Sequence, residues 1–534
     1  MTNLELLIKK DERLRTSRSP WESHWQELRD LVNPDASDFN RQMSQGARRT
    51  EQILDGTACW ALEQLASGLH TFLTSPTDRW FNLDVRDYNV HADATGLAWL
   101  ERVADIIYKQ YGDPRSNAVD TLHECYQDLG SFGTAVVYQD LNRKEMCLSF
   151  RMYPLADCRI LENSSGTVDT LFRSTKMSTR QIEQEWPDHG CKKITDCKDE
   201  GKMWEVVHAV FPRTDRDASK MNKTNKAFAS VYFCKEAMCV FSESGYDEFP
   251  YHVPRWTKRA GEVYGRSPGM VCLPDIKLLN AMERVQLKAV QKIVDPPLMV
   301  PNDGFMLPIS TKPSSLIFYE AGMGEQSLIK PLETKGRVDI GEDKMEQKRQ
   351  HVLRCFYADW ISRMKKKERQ TATEIMDDRD EMLQMMSPIL GRLQSELLGP
   401  MLARSYNLLQ DAGLIPPAPS SLQRRDLHVV YVSPAAKAQV ARKGVNMRRY
   451  IEELLPLAQV SPDILDAINT DEYAKQMALI QDVSRTVLRS PEELKAIRDQ
   501  KAQAQQAQQM AQTAQPAASA LKDIATAREK GLNI

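Results

Sequence analysis

Apolar residues recur at helical spacing through most of the chain, and the places where the recurrence breaks divide it. Leu4, Leu7 and Ile8, then Trp21, Trp25 and Leu28, predict a first helix that Pro34 closes. Ala58, Leu62, Leu65, Leu69 and Phe72 share one face of a second helix over 55–73, which Ser75, Pro76 and Thr77 end ahead of Trp80, Phe81 and Leu83. Further helices are expected over 95–111 and 118–129. From Gly133 to about Tyr251 the runs become short and β-branched or aromatic: 134–138, 147–152, 167–173, 204–211 and 229–241. Turn clusters such as 163–166 separate them, which predicts a mostly antiparallel sheet insert, interrupted by one short helix near 178–186.

Helix returns at Leu273, with Ile276, Leu279, Leu287, Val290 and Val294 on one face and Lys277, Arg284, Lys288 and Lys292 on another. It stops at Asp295, Pro296 and Pro297. The Pro- and Gly-rich stretch to Thr334, with short β-type runs such as 315–319, predicts a small α+β cap between two long antiparallel helices. The tract 335–413 carries a stripe at Met345, Val352, Phe356 and Trp360. That stripe gives way to Arg363, Met364, Lys365, Lys366, Lys367, Glu368 and Arg369, a cationic elbow with no apolar face to bury. Thr371 and Glu374 have capping-box spacing for the next helix, whose stripe runs Ile375, Met382, Met386, Leu390, Leu393, Leu397 and Met401, with kinks expected at Pro388 and Pro400. A Pro-rich link at 416–419 leads to a strand over 427–432, and helices resume from Pro434 to about Arg498. The Gln- and Ala-rich end, 500–534, forms helix readily and has little to bury, so it needs partners.

Composition narrows the function. A chain of 534 residues, 42% hydrophobic and 27% charged, exceeds a single core and is expected to split into several domains. A formal net charge of −2 excludes nucleic-acid binding through a global basic field, so any such contact must come from local patches. The charged start, from Glu5 onward, predicts no secretory signal, and no apolar run reaches the roughly 18 residues of a membrane span, which predicts a soluble protein. Ten scattered cysteines predict free buried thiols in a reducing compartment.

Enzymatic motifs are sparse. No Gly-Lys pair is followed by Ser or Thr, so a nucleotide-binding P-loop is missing, and no HExxH occurs. Gly265, Arg266, Ser267, Pro268 and Gly269 spell GxSxG, the nucleophile elbow of hydrolases. The oxyanion hole there uses the amide after the serine, and Pro268 has none; 262–269 also reads as a turn into a helix. His189, Cys191 and Cys197 lack a fourth ligand for structural zinc. Cys234 and Cys239, in one extended strand, would point to opposite faces. A cationic run such as the elbow is ordinarily a solvated turn. Turned inward in a ring of several copies, it would meet duplex DNA, which presents about one negative charge per 1.7 Å of axis, through sequence-blind phosphate contacts.

Several blocks, in a shared order over most of the length, carry a family likeness. They are Trp21 to Trp25 with Pro34; Leu65, Ala66, Ser67, Gly68 and Leu69 through Leu73, Thr74, Ser75 and Pro76 to Arg79, Trp80 and Phe81; and Tyr264 to Gly269 through Leu273, Pro274 and Asp275 to Asn280. Pro296 to Gly304, Glu368 to Glu374, and Tyr431, Ser433, Pro434 and Ala435 complete the set. In these the chain resembles the portal proteins, or head-to-tail connectors, of short-tailed bacteriophages of podovirus type. The resemblance implies a mainly helical α+β subunit with wing, stem, clip, crown and C-terminal barrel helix. The wing would be 1–270, including the sheet insert at about 133–251; the stem helices 271–294 and 336–361; the clip 295–335. The channel loop would be 362–370, the long kinked helix with its return to the wing 371–433, the crown 434–498 and the barrel helix 499–534.

The same resemblance implies a non-enzymatic ring, usually of twelve copies, at one capsid vertex, assembled in the host bacterial cytoplasm. Double-stranded DNA would pass through its channel during packaging, retention and ejection, without a cofactor. Lys365, Lys366, Lys367 and Arg369 are the expected DNA contacts, with Lys288 and Lys292 second. Asn302, Asp303, Gly304 and Phe305, in the clip, would dock the terminase large subunit and then the tail adaptor. Scaffolding, capsid and internal core proteins are the other implied partners. A hydrolase using Ser267 and another ring-shaped nucleic-acid clamp are the competing readings.

Overall fold

The computed structural model describes residues 4–41, 43–44, 46–85, 94–197, 199–216, 222–294, 298–299, 330–331, 338–359, 361, 385–419, 422, 427–431, 444–454, 456, 468–480, 494, 497–501 and 503. The chain divides into two units, one of 1–81, 105–416 and 433–435, the other of 82–104, 417–432 and 436–534.

The first unit begins with α1 (Leu4–Leu31), which buries Leu7, Leu14, Trp25 and Leu28 along one side. Leu7 and Leu14 pack onto the inner residues Phe172, Val207, Ala209, Val231 and Phe233 of a sheet. Asp11, between them, is buried yet paired, accepting from Arg159 Nε at 2.6 Å and from Lys235. Buried Arg18 donates to the carbonyls of Leu155 (3.0 Å), Ala156 (2.6 Å) and Cys158, so one guanidinium satisfies a turn that water does not reach. Trp25 donates its indole N–H to Phe132 O at 3.2 Å and meets the Tyr264 ring edge-on at 5.0 Å. Helices α2 (Thr57–Leu73) and α4 (Ala118–Phe132) pack against each other. Between them in sequence lie β1 (Phe81–Val85) and α3 (Ala94–Gly112).

The insert expected over 133–251 is antiparallel throughout. Strands β2 (Val137–Asn142), β3 (Cys147–Met152) and β9 (Tyr251–His252) form one sheet in the order β3-β2-β9. Strands β4 (Cys158–Glu162), β5 (Val168–Ser178), β6 (Met203–Pro212), β7 (Phe228–Cys234) and β8 (Cys239–Tyr246) form a second, in sequence order. Helix α5 (Thr179–Glu185) interrupts it where expected, with Ser178 and Gln181 closing a capping box.

Two expectations fail here for one reason. The run 229–241 is a hairpin rather than a strand, because Met238 takes a left-handed φ of 51° and turns the chain. Cys234 and Cys239 are therefore cross-strand partners, not neighbours along a strand. Nor are all the cysteines free: Cys191, which precedes α6 (Lys192–Thr195), is disulfide-bonded to Cys239 across 48 residues of sequence. The hairpin turn carries no Gly or Asn, so local reading had no signal for it.

The remaining elements of this unit are α7 (Pro268–Val294), the paired strands β10 (Leu298–Met299) and β11 (Lys330–Pro331), α8 (Val338–Cys355) and α9 (Gly399–Asp411). α8 stops at Cys355 rather than running on to Ile361, and Tyr357 takes φ 57°. Residues 385–393 are helical through Pro388, and a π-turn, Gln394–Leu398, precedes α9. Pro400 cannot donate to the Glu396 carbonyl, and the wider turn accommodates that loss. A polar network ties α9 to the smaller sheet: Gln139 donates to Ser405 Oγ at 2.8 Å, His252 pairs with Gln139 Oε1 at 2.8 Å, and Arg404 donates to Gln139 O at 3.1 Å. In the second unit β1 pairs with β12 (Leu427–Tyr431), and α10 (Thr470–Ile480) holds Ile480 against Gly444.

The two sheets and α7 meet where Gly133, at φ 77°, crosses Gly265. A Cβ on Gly265 would lie 2.1 Å from Gly133 O, a backbone atom with no room to yield. Gly265→Ala is expected to lower stability by about 2–3 kcal/mol, read as a reduced urea midpoint. An unchanged midpoint contradicts the crossing.

Burial holds His208 and His252 down to about 3, with Arg173 and Arg404 respectively adding repulsion. Both bind fewer protons folded than unfolded between pH 6.5 and 3, so stability is full above pH 6.5 and falls as pH drops through that window. His208→Gln removes one such group. Its stability deficit at pH 7 is expected to shrink by about 2–3 kcal/mol at pH 4.5 in paired denaturant titrations. An equal deficit at both pH values refutes this.

Candidate functional site

The α7–α8 hairpin is built from its capped start. Ser267, buried, donates its hydroxyl to Ser131 O at 2.6 Å and accepts from Met270 N at 2.9 Å, while Pro268 opens the helix where a missing N–H costs nothing. A serine whose hydroxyl caps a helix and anchors it to α4 is not poised as a nucleophile. The GxSxG match is thus explained by the Gly133 crossing and the cap.

The first half of α7 is anchored. Cys272, Leu273, Ile276 and Leu279 are buried, and Asn280 accepts from the amides of Leu54 (2.7 Å) and Asp55 (3.2 Å). α8 runs antiparallel to it: Cys272 meets Cys355, Asp275 meets Lys348 and His351, and Gln286 lies beside Gly341. Lys348 Nζ donates to Asp275 at 2.6 Å and holds its carboxyl below the usual range, with His351 adding to the effect. Burial would raise the Asp55 carboxyl, but hydrogen bonds from Thr57 and from Arg349 (2.8 Å) bring it lower than usual. Arg349 also reaches Glu283 at 3.4 Å. On α8, Met345 and Val352 are buried, as their spacing predicts, and Phe356 beyond its end is buried too.

The second half of α7 is different. Leu287, Val290 and Val294 continue the face of Ile276 and Leu279, yet they are exposed, Val294 at 78%. A separate stripe, Val271 (71% exposed), Leu278 and Val285 (67%), repeats every seven residues along the opposite side. Arg284, Lys288 and Lys292 stand one turn apart and exposed. Lys277 is instead held by Glu27 at 2.6 Å. Exposed apolar rows on two sides with cations between them make an open surface rather than an enclosed pocket.

Of the expected site residues, only Lys288 and Lys292 fall within the described structure, and they share one helix surface. Lys365, Lys366, Lys367 and Arg369 lie outside the described residues, as do Thr371 and Glu374 and the docking residues expected in the clip, Asn302, Asp303, Gly304 and Phe305. Of the stretch 295–335, expected as the clip, the described residues are two strand pairs, Leu298 with Pro331 and Met299 with Lys330. Of 434–498, residues 444–454, 456, 468–480, 494 and 497–498 are described, and of 499–534 residues 499–501 and 503. Among the described residues no group of three or more His, Cys, Asp or Glu side chains is placed to hold a metal ion. His189 Nδ1 instead accepts from Cys191 N at 2.9 Å. No helix of the described residues is long and apolar enough to cross a membrane. Sequence reasoning missed the Arg255 cluster joining Glu162 to Glu396, and the cysteine pair across the hairpin, because nothing local relates their positions.

Known proteins resemble this chain over nearly its whole length. "Probable portal protein" of Bordetella phage BPP-1 is 30% identical over 515 residues, covering 94% of this chain and 92% of its own. "Portal protein" of Salmonella phage epsilon15 is 29% identical over 517 residues, with the same coverage of 94% and 92%. A chain of the virion of a native gene transfer agent particle superposes with a TM-score of 0.38 at 9% identity over 79% of this chain and 94% of its own, too weak a likeness to carry an argument. The family described as bacteriophage head to tail connecting protein matches residues 4–488, and the chain belongs to that family.

Proposed function

We propose that copies of this chain close into a ring at one capsid vertex and form the channel through which double-stranded DNA is packaged, retained and ejected. The observation that carries this reading is the projecting half of α7, with apolar rows left open on two sides and Arg284, Lys288 and Lys292 between them. Exposed apolar rows on a long helix are stabilised when a second copy covers them, and a closed ring gives every copy the same two neighbours. Relatives named portal proteins over 94% of the chain support the same conclusion. Membership of a connector family makes the chain a structural virion component rather than an enzyme.

In this reading the wing is 1–270, the stem 271–294 with 336–361, and the clip 295–335. The loop 362–370 enters the channel, 371–433 links it back to the wing, 434–498 forms the crown and 499–534 the barrel helix. Twelve copies assemble in the host cytoplasm. Lys365, Lys366, Lys367 and Arg369 contact phosphates, with Lys288 and Lys292 behind them, and no base is read. The clip, through Asn302, Asp303, Gly304 and Phe305, seats the terminase large subunit and later the tail adaptor. Scaffolding, capsid and internal core proteins meet the outer surfaces. Mechanism is geometric and electrostatic: the motor supplies the work, and the ring guides and holds the polyanion.

Native mass spectrometry with negative-stain imaging tests assembly. Rings of about a dozen copies are expected, with a hole that admits a duplex whose major groove alone is about 12 Å wide. Val285→Asp is expected to shift the population toward a monomer of 60.9 kDa with little change in its own unfolding midpoint. A wild-type chain that stays monomeric at high concentration would overturn the proposal. Replacing Lys365, Lys366 and Lys367 together with Ala is expected to leave rings intact while packaged DNA per particle falls and its release at raised salt increases. Wild-type packaging and retention by that variant would remove these lysines from the DNA-contact role.

A further inference from the structure

Two cysteines far apart in sequence meet across the α7–α8 hairpin. Cys272 is buried on α7 and donates to the Gly269 carbonyl at 3.7 Å; the antiparallel register set by Asp275 with Lys348 and His351 places it opposite Cys355 at the end of α8. Cys355 is half-buried, so small polar reagents reach it. One turn before it on the same helix stands His351, whose Nδ1 lies 2.7 Å from Asp275 Oδ2, and Lys348 holds the other oxygen of that carboxylate at 2.6 Å. A part-exposed thiol thus has a buried thiol partner and a histidine oriented by an aspartate. None of these four positions is used by the assembly or DNA contacts proposed above.

We infer that Cys355 and Cys272 form a peroxide-responsive dithiol, whose closure to a disulfide fastens α7 to α8 at the root of the hairpin. The asymmetry of the pair sets the order of events. The neighbouring Cys272 lowers the Cys355 thiol below its ordinary value, and the nearby His351 adds to this, so Cys355 is the readier of the two to form a thiolate. Cys355, together with burial, pushes Cys272 well above the usual thiol range. At other thiols burial wins: it raises Cys158 to about 12 and also raises Cys125 and Cys234.

The chemistry balances with hydrogen peroxide as the only oxidant. The Cys355 thiolate attacks one oxygen, the O–O bond breaks, and the departing hydroxide takes a proton to leave as water; the sulfur is now a sulfenic acid. Cys272 then attacks that sulfur, its proton passing to the sulfenic oxygen, which leaves as a second water as the S–S bond forms. Two thiols are oxidised and one peroxide is reduced. The two cysteines lie one turn beyond the Asp275 contacts on facing sides of the antiparallel pair, where side-chain rotation can bring the sulfurs to the roughly 2 Å disulfide bond.

The test uses the full-length chain, reduced, freed of reductant, exposed to hydrogen peroxide and mapped by mass spectrometry after alkylation without reduction. A cross-linked peptide containing Cys272 and Cys355 is expected, distinct in mass from the Cys191–Cys239 peptide. Cys272→Ala is expected to leave Cys355 as a sulfenic acid that dimedone traps, and Cys355→Ser to leave Cys272 a thiol. In untreated protein at neutral pH, iodoacetamide is expected to label Cys355 about tenfold faster than Cys59, with His351→Gln reducing that advantage. Cys355 oxidised to sulfonic acid beside an intact Cys272 thiol would overturn the inference, as would Cys355 linked only to another copy. The wild-type peptide map decides the matter even where a cysteine variant fails to fold.

Discussion

A single buried guanidinium organises the first unit. Arg255 is 1% exposed and donates to Glu396 at 2.8 Å, Glu162 at 2.8 Å, Gly166 O at 2.8 Å and Val263 O at 3.2 Å, while its own amide donates to Glu396 at 2.9 Å. It therefore joins the end of β4, the β4–β5 turn, the approach to α7 and the π-turn before α9. A charge removed from water this thoroughly is tolerable only when each donor is met, and deleting one partner of such a pair typically costs about 3–5 kcal/mol. The adjoining residues tighten the same knot. Trp256 donates its amide to Gly133 O at 2.9 Å, Thr257 pairs with Arg266, and Gly265 donates to Thr134 Oγ1 at 2.8 Å.

From that knot the α7–α8 hairpin is launched. Because Ser267 and Gly265 fix where α7 leaves α4 and the sheets, the helix has one exit direction, and Asp275 and Arg349 then set the register of α8 against it. Burial ends near Asn280, while the apolar rows do not. The root of the hairpin is thus anchored within the chain, and its projecting half is not. The sheets and α1 are closed by their own ion pairs and buried cores, whereas the outer half of α7 keeps its apolar rows open.

Much of the element order was legible from local pattern. Period and caps located α1, α2, α4, β3, α5 and the α7–α8 pair to within a few residues, since these signals depend on neighbours in sequence. The hairpin at Met238 was not legible, because it turns on a left-handed methionine with no composition cue. Missing it hid the facing of Cys234 and Cys239, and with it the bond from Cys239 to Cys191. The candidate site divides in the same way. Lys288 and Lys292 could be placed on one helix surface by counting, whereas the half-open state of that helix depends on where α8 stops covering it.

What the sequence by itself determined is the alternation of helical and β-rich stretches, the breaks at Pro and Gly, the cationic elbow and the order of blocks that marks the family. Each follows from the conformational preferences of nearby residues. Only the tertiary structure decided that GxSxG is a backbone crossing followed by a helix cap, that Arg255 bridges carboxylates 93 and 141 residues away, and that Cys272 faces Cys355. Those contacts join residues whose separation in sequence carries no period. They exist because burying apolar faces forces specific polar groups together, and a buried polar group must then find its partner wherever the fold has brought one.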